Sequence, residues 1–280
     1  MQILRTVHEL RQRARADRSA GNTIGIVPTM GALHAGHASL IRAANSQCGV
    51  VAVSIFVNPT QFGPNEDYSR YPRTFDADCA LAKAEGASVI FAPSVEELYP
   101  PDAATFVEVE GLSGRLDGAS RPGHFRGVAT VVSKLLIATE ADLAFFGQKD
   151  AAQVAVLRRM VRDLRLPAKI MVCPIVREPD GLALSSRNVY LSGTERAQAL
   201  VLSRSVRHVE SMAAMGERRG PILLSEARRI FAAEPAVRVD YIELVEWDTL
   251  LPAETAAPGT LFAVAAWAGA TRLIDNTIIG

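Results

Sequence analysis

Residues 23–46 read TIGIVPTMGALHAGHASLIRAANS, and this stretch decides the fold. Residues 23–28 are a short apolar run ending at proline, the pattern of a buried strand. Residues 38–46 carry apolar side chains at helical spacing. Between them lies a turn rich in glycine and histidine. Strand, glycine turn and helix together make one βα unit, and the chain on either side repeats the theme. Residues 50–57 (VVAVSIFV) are an uninterrupted β-rich run. Further strand-like runs fall at 87–91, 105–109, 143–146 and 169–173. Helical patterns fall at 74–86, where Gly86 suits a C-cap, and at 128–138 and 150–162. Strands that are apolar throughout imply burial on both faces. Their alternation with helices implies βαβ units and a parallel sheet with right-handed crossovers. Ligands of such sheets sit beyond the carboxyl ends of the strands.

Near residues 177–181 the pattern changes. Helical stretches at 194–215 and 222–233 precede strand-like runs at 240–246, 261–266 and 272–276. Helices followed by strands imply a smaller α+β unit. The expectation is an α/β chain, with a parallel-sheet domain over 1–178, an α+β domain over 179–280, and the segment REPDGL as hinge.

Formal net charge is zero and no basic stripe is evident, which argues against a nucleic-acid partner. Cys48, Cys79 and Cys173 are widely separated and form no metal-binding spacing. They read as small buried hydrophobes in a reducing compartment. Residues 1–21 are charged and amphipathic, without the apolar core of a secretory signal. No apolar run approaches the ~20 residues that span a membrane. A cytoplasmic protein without a membrane partner is expected.

Five segments carry chemistry. In PTMGALHAGH, His34 and His37 are three residues apart at a helix start. Free backbone N–H groups and the helix dipole make such a start an anion site. Gly31 and Gly36 would let a ligand approach the backbone, and two imidazoles could donate to phosphate oxygens as charge builds. In FVNPTQFG, continuing to YSRYPRT, Asn58 and Gln61 offer amides for a small hydroxylated acid, with Tyr71 and Arg73 as walls. Alone, that segment reads better as a Pro-rich loop. In RPGHFRGV, Arg121 or Arg126 could meet a carboxylate or phosphate; a surface turn with solvated arginines fits equally. In FGQKDAAQ, Lys149 can place a charge on phosphates. Asp150 can accept from ribose hydroxyls, and Gln153 lies one turn further on. An Asp N-cap beside a solvated lysine explains it as well. In REPDGLALSSRN, Ser185, Ser186 and Arg187 suit a mobile phosphate clamp, or an ordinary polar linker.

The HxGH string resembles the signature of the adenylyl-transferring Rossmann superfamily, whose chemistry is attack on a nucleotide α-phosphate with loss of pyrophosphate. Taken in order, the five segments resemble the pantothenate synthetase family, from about residue 23 to 188 and weakly through VDYIELVEWDTL. Leu184 departs from the family's usual Met, a swap of similar volume. The resemblance implies a Rossmann-like N-terminal domain and ATP-dependent ligation of pantoate to β-alanine through a pantoyl adenylate, releasing AMP and pyrophosphate. It implies that Met30, Gly31, Ala32, Leu33, His34, Ala35, Gly36 and His37 form the ATP segment, with His34 and His37 as the catalytic pair on phosphates, His37 acting as an acid or only holding phosphate. Gly147, Gln148, Lys149 and Asp150 would touch ribose and phosphates, and Val176 the adenine. Leu184, Ser185, Ser186 and Arg187 would form the closing loop. Gln61 and Gln153 would bind pantoate, with Asn58, Tyr71 and Arg121 nearby. It also implies magnesium (Mg2+) and a homodimer. Asp78 is a candidate magnesium ligand, but Ala77 stands where some members have a second Asp, so no ligand set is assigned.

Three other classes share parts of this pattern. A nucleotidylyltransferase for a phosphorylated acceptor should have a basic acceptor pocket, whereas Asn58, Gln61 and Gln153 are uncharged. A tRNA synthetase fragment should leave a basic region over. A non-catalytic nucleotide sensor would not need both phosphate clamps and the glutamine pair.

Overall fold

The computed structural model describes residues 1–64 and 66–280; Asn65, within the FVNPTQFGPNEDY string, lies outside the described residues. The first half runs β1 (Gln2–Leu4), α1 (Val7–Ser19), β2 (Ile24–Thr29), α2 (Ala35–Asn45), β3 (Val50–Ile55), α3 (Phe75–Ala84) and β4 (Val89–Phe91). Two short helices, α4 (Val95–Leu98) and α5 (Asp117–Ser120), lead to α6 (His124–Thr139), β5 (Leu143–Gly147), α7 (Ala151–Asp163) and β6 (Lys169–Cys173). The remainder is α8 (Gly193–Ala214), α9 (Gly220–Ala232), β7 (Val237–Glu246), β8 (Thr260–Ala268) and β9 (Thr271–Ile278).

Six strands form one parallel sheet in the order β1-β4-β3-β2-β5-β6. Alternation along each strand divides the core. Ile26, Ala52, Ala144 and Phe146 face α6 and α7, while Val27, Val53, Ile90 and Phe145 face the α2 side. Both faces are therefore apolar, as the continuous runs required. From β2 the chain winds outward to β3 and β4, then returns to the other side of β2 as β5. That reversal is the topological switch point. β2 and β5 pair only through Gly25 with Leu143 and Ile26 with Ala144. Their carboxyl halves separate, and the crevice between them is where a ligand belongs.

The second sheet is antiparallel, β7-β8-β9. One face packs on α8 and α9 through Phe262, Val264 and Leu244. The other, through Leu261, Ala263 and Val245, joins the core of the first half. Trp247 Nε1 donates to the Ala151 carbonyl across that junction at 2.9 Å. Among the described residues no helix is long and apolar enough to cross a membrane.

Two expectations are corrected, and the N-terminal stretch gains elements that its composition did not assign. Residues 105–109 are not a strand: the Val107 and Val109 N–H groups are taken by the Thr130 and Ser113 hydroxyls, not by a neighbouring strand. The charged N-terminal stretch contains β1, which pairs with β4, and α1, which starts at a Thr6–Glu9 capping box. Helix α2 begins at Ala35, three residues before the apolar periodicity starts, because His34 caps it.

Gly127 marks where α6 meets the loop after β3. A Cβ there would lie 2.3 Å from the Thr60 carbonyl oxygen and 2.7 Å from Gln61 Cα, backbone atoms that cannot turn aside. Gly127→Ala should destabilise the chain by about 1–3 kcal/mol, seen as a lower urea midpoint; an unchanged midpoint contradicts this packing.

Candidate active site

A cavity of about 230 Å3 opens at the switch point. All five sequence segments reach it. Met30, His34, Gly36, His37, Asn58, Gln61, Tyr71, Arg121, Gly147, Lys149, Asp150, Gln153, Val176, Leu184, Ser185, Ser186 and Arg187 line it. Gly31, Ala32, Leu33, Ala35 and Gln148 do not; they stand behind the wall and shape it.

The histidine loop is fixed by its own backbone. Ala32 adopts a left-handed conformation with φ 51°, unfavourable for a residue with a Cβ. Asp78, from α3, holds it there. Its two carboxylate oxygens accept the Ala32 and Leu33 N–H groups at 2.9 and 2.8 Å, and the Thr74 hydroxyl adds a third donor at 3.0 Å. The candidate metal ligand is thus a loop anchor, only 2% exposed. His34 is the N-cap of α2, and its Nδ1 accepts the Gly36 N–H at 3.1 Å. The ring folds back over Gly36, where a Cβ would lie 2.8 Å from His34 Cε1. The glycine of HxGH therefore makes room for the histidine, where room for a ligand was expected. His37 Nδ1 accepts the His34 N–H at 3.3 Å, and the ring centroids are 4.1 Å apart.

With both Nδ1 atoms accepting, the proton of each neutral ring sits on Nε2, a donor available to the cavity. Burial, then nearby Lys149, lowers the His34 pKa to about 4. Burial, then His34, lowers that of His37 to about 3. Both rings are neutral donors near pH 7.

A second wall is oriented by amides. Asn58 is 1% exposed, and its side chain is fully engaged. It donates to Gln61 Oε1 and the Gly127 carbonyl, and accepts from the Thr60 N–H and hydroxyl. Asn58 therefore orients Gln61, a different task from the expected direct grip on substrate. Gln61 Nε2 lies 3.1 Å from Met30 Sδ, joining this wall to the histidine loop. Gln153 faces the cavity. Arg121 grips Glu66 with two bonds of 2.7 and 2.6 Å; these bonds outweigh burial and hold the Glu66 carboxyl below its ordinary pKa. His124 packs behind, its Nδ1 2.8 Å from the Gln61 carbonyl and its Nε2 3.0 Å from Arg121 Nη1. Two expected arginines are elsewhere. Arg73 bonds the Tyr68, Ser69 and Tyr71 carbonyls, and Arg126 stacks on Phe106.

The third wall crosses to the second half. Lys149 Nζ lies 3.4 Å from Asp150. Residues 176–184 form a paired hairpin, with Leu184 N–H on the Val176 carbonyl and Arg177 bridged to Ala183. The segment expected as a hinge lies within that pairing. Arg187 grips Asp67 at 2.9 and 2.8 Å, and the Ser186 hydroxyl donates to the Ala32 carbonyl at 3.2 Å. The roles of Glu66, Asp67, Asp78 and His124 were not anticipated, because each partner is distant in sequence.

The family model described as pantoate-beta-alanine ligase matches residues 2–278. The chain belongs to this family. It is 60% identical to the pantothenate synthetase of Acidobacterium capsulatum, covering all of this chain and 95% of that one. It is 54% identical to that of Thermotoga petrophila, with both chains fully covered. The pantothenate synthetase structure from Thermus thermophilus superposes with a TM-score of 0.94 at 45% identity, covering 99% of each chain. The pantoate-beta-alanine ligase of Francisella tularensis, complexed with beta-gamma ATP and beta-alanine, gives 0.79 at 34% identity, covering 99% of this chain and 97% of that one. The chain is accordingly an enzyme of the pantoate–β-alanine ligase type, with the parallel-sheet and small antiparallel-sheet architecture of those structures.

For this ligase the two histidine pKa values fix a pH dependence. Both lie below the ordinary 6.5, so from pH 6.5 down to about 4 for His34 and about 3 for His37 the unfolded chain binds protons that the folded chain does not. Their contribution to stability is complete above 6.5 and falls as pH drops through that window. Imidazole 15N NMR should show both rings neutral, protonated at Nε2, from about pH 5 to 8. A midpoint near 6.5 for either ring contradicts the assignment.

Proposed function

We propose that the cavity binds ATP, pantoate and β-alanine and joins the two acids in two steps. A pantoate carboxylate oxygen attacks the α-phosphorus, and the bond from that phosphorus to the bridging oxygen breaks, releasing pyrophosphate. The free amine of β-alanine then attacks the acyl carbon of pantoyl adenylate, and AMP leaves. The observation that carries this reading is that His34 and His37, as fixed Nε2–H donors, line one cavity together with Gln61 and Gln153. His34, His37 and Lys149 receive the phosphates; Asp150 takes the ribose; Val176 lies by the adenine. Gln61 and Gln153 hold pantoate, with Tyr71 and Arg121 closing that side. Catalysis is then positioning plus stabilisation of developing phosphate charge.

Charge within the cavity favours a small acid over a phosphorylated acceptor. Arg121 is matched by Glu66 and Arg187 by Asp67, leaving Lys149 with only a 3.4 Å contact to Asp150. Magnesium enters with the nucleotide. Among the described residues no group of three His, Cys, Asp or Glu gathers to hold a metal, and Asp78 is occupied by the loop. No protein ligand set is assigned. Residues 179–280 act as a lid unit, with residues 184–187 closing over the cavity to keep water from the mixed anhydride. As the family resemblance implies, the enzyme works as a cytoplasmic homodimer.

Mass spectrometry with ATP, pantoate, β-alanine and magnesium should find AMP, pyrophosphate and an amide of mass acid plus amine minus water. His37→Ala should lower the rate about 10²-fold, the loss expected for one transition-state donor. Absence of AMP with all substrates sinks the function, and an unaffected His37→Ala rate sinks the phosphate role. Sedimentation of the same sample at about the monomer mass would remove the dimer.

A further inference from the structure

The turn that carries Lys149 and Asp150 is held from outside the first half. Residues Gln148–Asp150 form a single 3-10 turn between β5 and α7. No side chain caps that turn. Instead, Asn276 on β9 reaches it. Its Nδ2 donates to the Gln148 carbonyl at 3.0 Å and to the Lys149 carbonyl at 2.9 Å. Its Oδ1 accepts from Gln148 Nε2 at 3.2 Å. One side chain, 3% exposed, thus fixes two consecutive peptide units and the side chain between sheet and turn.

The preceding residue performs a matching task on another wall. Asp275 is 2% exposed and grips Arg177 through bonds of 2.6 and 2.9 Å. Arg177 Nη1 also donates to the Gly181 carbonyl at 3.1 Å. Successive strand residues point to opposite faces, so adjacent positions of β9 reach two separate walls of one cavity. Neither side chain lines that cavity.

We infer that Asn276 is a positioning residue for nucleotide binding, setting the Lys149–Asp150 turn through its two peptide carbonyls. The inference rests on the proposed contact of Lys149 with ATP phosphates. Freeing the carbonyls of residues 148 and 149 loosens the turn and displaces Lys149 Nζ, while Gln153 stays held within α7, whose own hydrogen bonds Asn276 does not touch. Loss of Asn276 therefore acts on ATP and not on the second substrate.

The test is a double-mutant cycle on the full chain, reading KM for ATP and KM for pantoate separately. Asn276→Ala should raise KM for ATP about 10-fold, the scale of two lost hydrogen bonds, and leave KM for pantoate within about 2-fold. In a Lys149→Ala background the same change should add less than about 2-fold. Gln148→Ala, which removes only the outer bond, gives a milder effect of the same kind and serves if Asn276→Ala fails to fold. Equal increases in both KM values, or multiplicative effects of Asn276→Ala and Lys149→Ala, overturn the inference while leaving the function intact. If Lys149→Ala alone leaves KM for ATP unchanged, the site reading fails and the inference falls with it.

Discussion

The site depends on Asp78. A left-handed alanine costs about 1–2 kcal/mol, and the loop from β2 to α2 contains one at residue 32. Hydrogen bonds to a charged acceptor are worth about 1.5–3 kcal/mol each, and Asp78 supplies two to that loop. The balance favours the raised loop. Much else hangs from it. His34 can cap α2 only if the chain enters at this angle, and the His37 ring is placed by the His34 N–H. The Ala32 carbonyl receives Ser186 from the second half, and Met30 meets Gln61 from the second wall.

The same economy appears in the charges. Both arginines that line the cavity are paired with acids from one short stretch, Glu66 and Asp67. That leaves the cavity neutral, fixed donors together with one lysine. Donors already oriented need no reorganisation as charge develops. The buried histidines fit this arrangement, because burial favours their neutral form. Contacts from β9 and Trp247 hold the second sheet against the first half. The 185–190 segment is tied to the first half by Ser186, Arg187 and Tyr190 and to the 176–184 hairpin by Asn188, which donates to Glu178 and the Ala183 carbonyl.

Elements with continuous apolar runs were legible from residue order. β2, β3 and β5 fall where the runs do, since burial on both faces leaves no alternation to misread; β6 falls at its run too, as a half-buried edge strand. β1 was not legible: three residues beside a charged helix carry too little pattern, and pairing with β4 decides it. Residues 105–109 alternate like a strand, yet hydroxyls answer their N–H groups. At the site, the convergence of the five segments was legible, because strand ends bring their loops together by topology. Partners across the fold were not. Nothing in the order of residues links Asp67 to Arg187, Asp78 to Ala32 or Asn276 to Lys149. Asn58 shows the limit from the other side: its amide suits a substrate, but its neighbours occupy every bond it can make.

The most direct test of this account is the activity of Asp78→Asn. The change keeps shape but sets an amide NH2 against a backbone N–H and removes the charge. The account predicts a chain that still unfolds cooperatively, with AMP formation from ATP, pantoate and β-alanine lowered about 10- to 100-fold, the equivalent of one lost charge-assisted bond. Wild-type rates in a folded Asp78→Asn would show that the loop holds its histidines without Asp78, and would contradict the account.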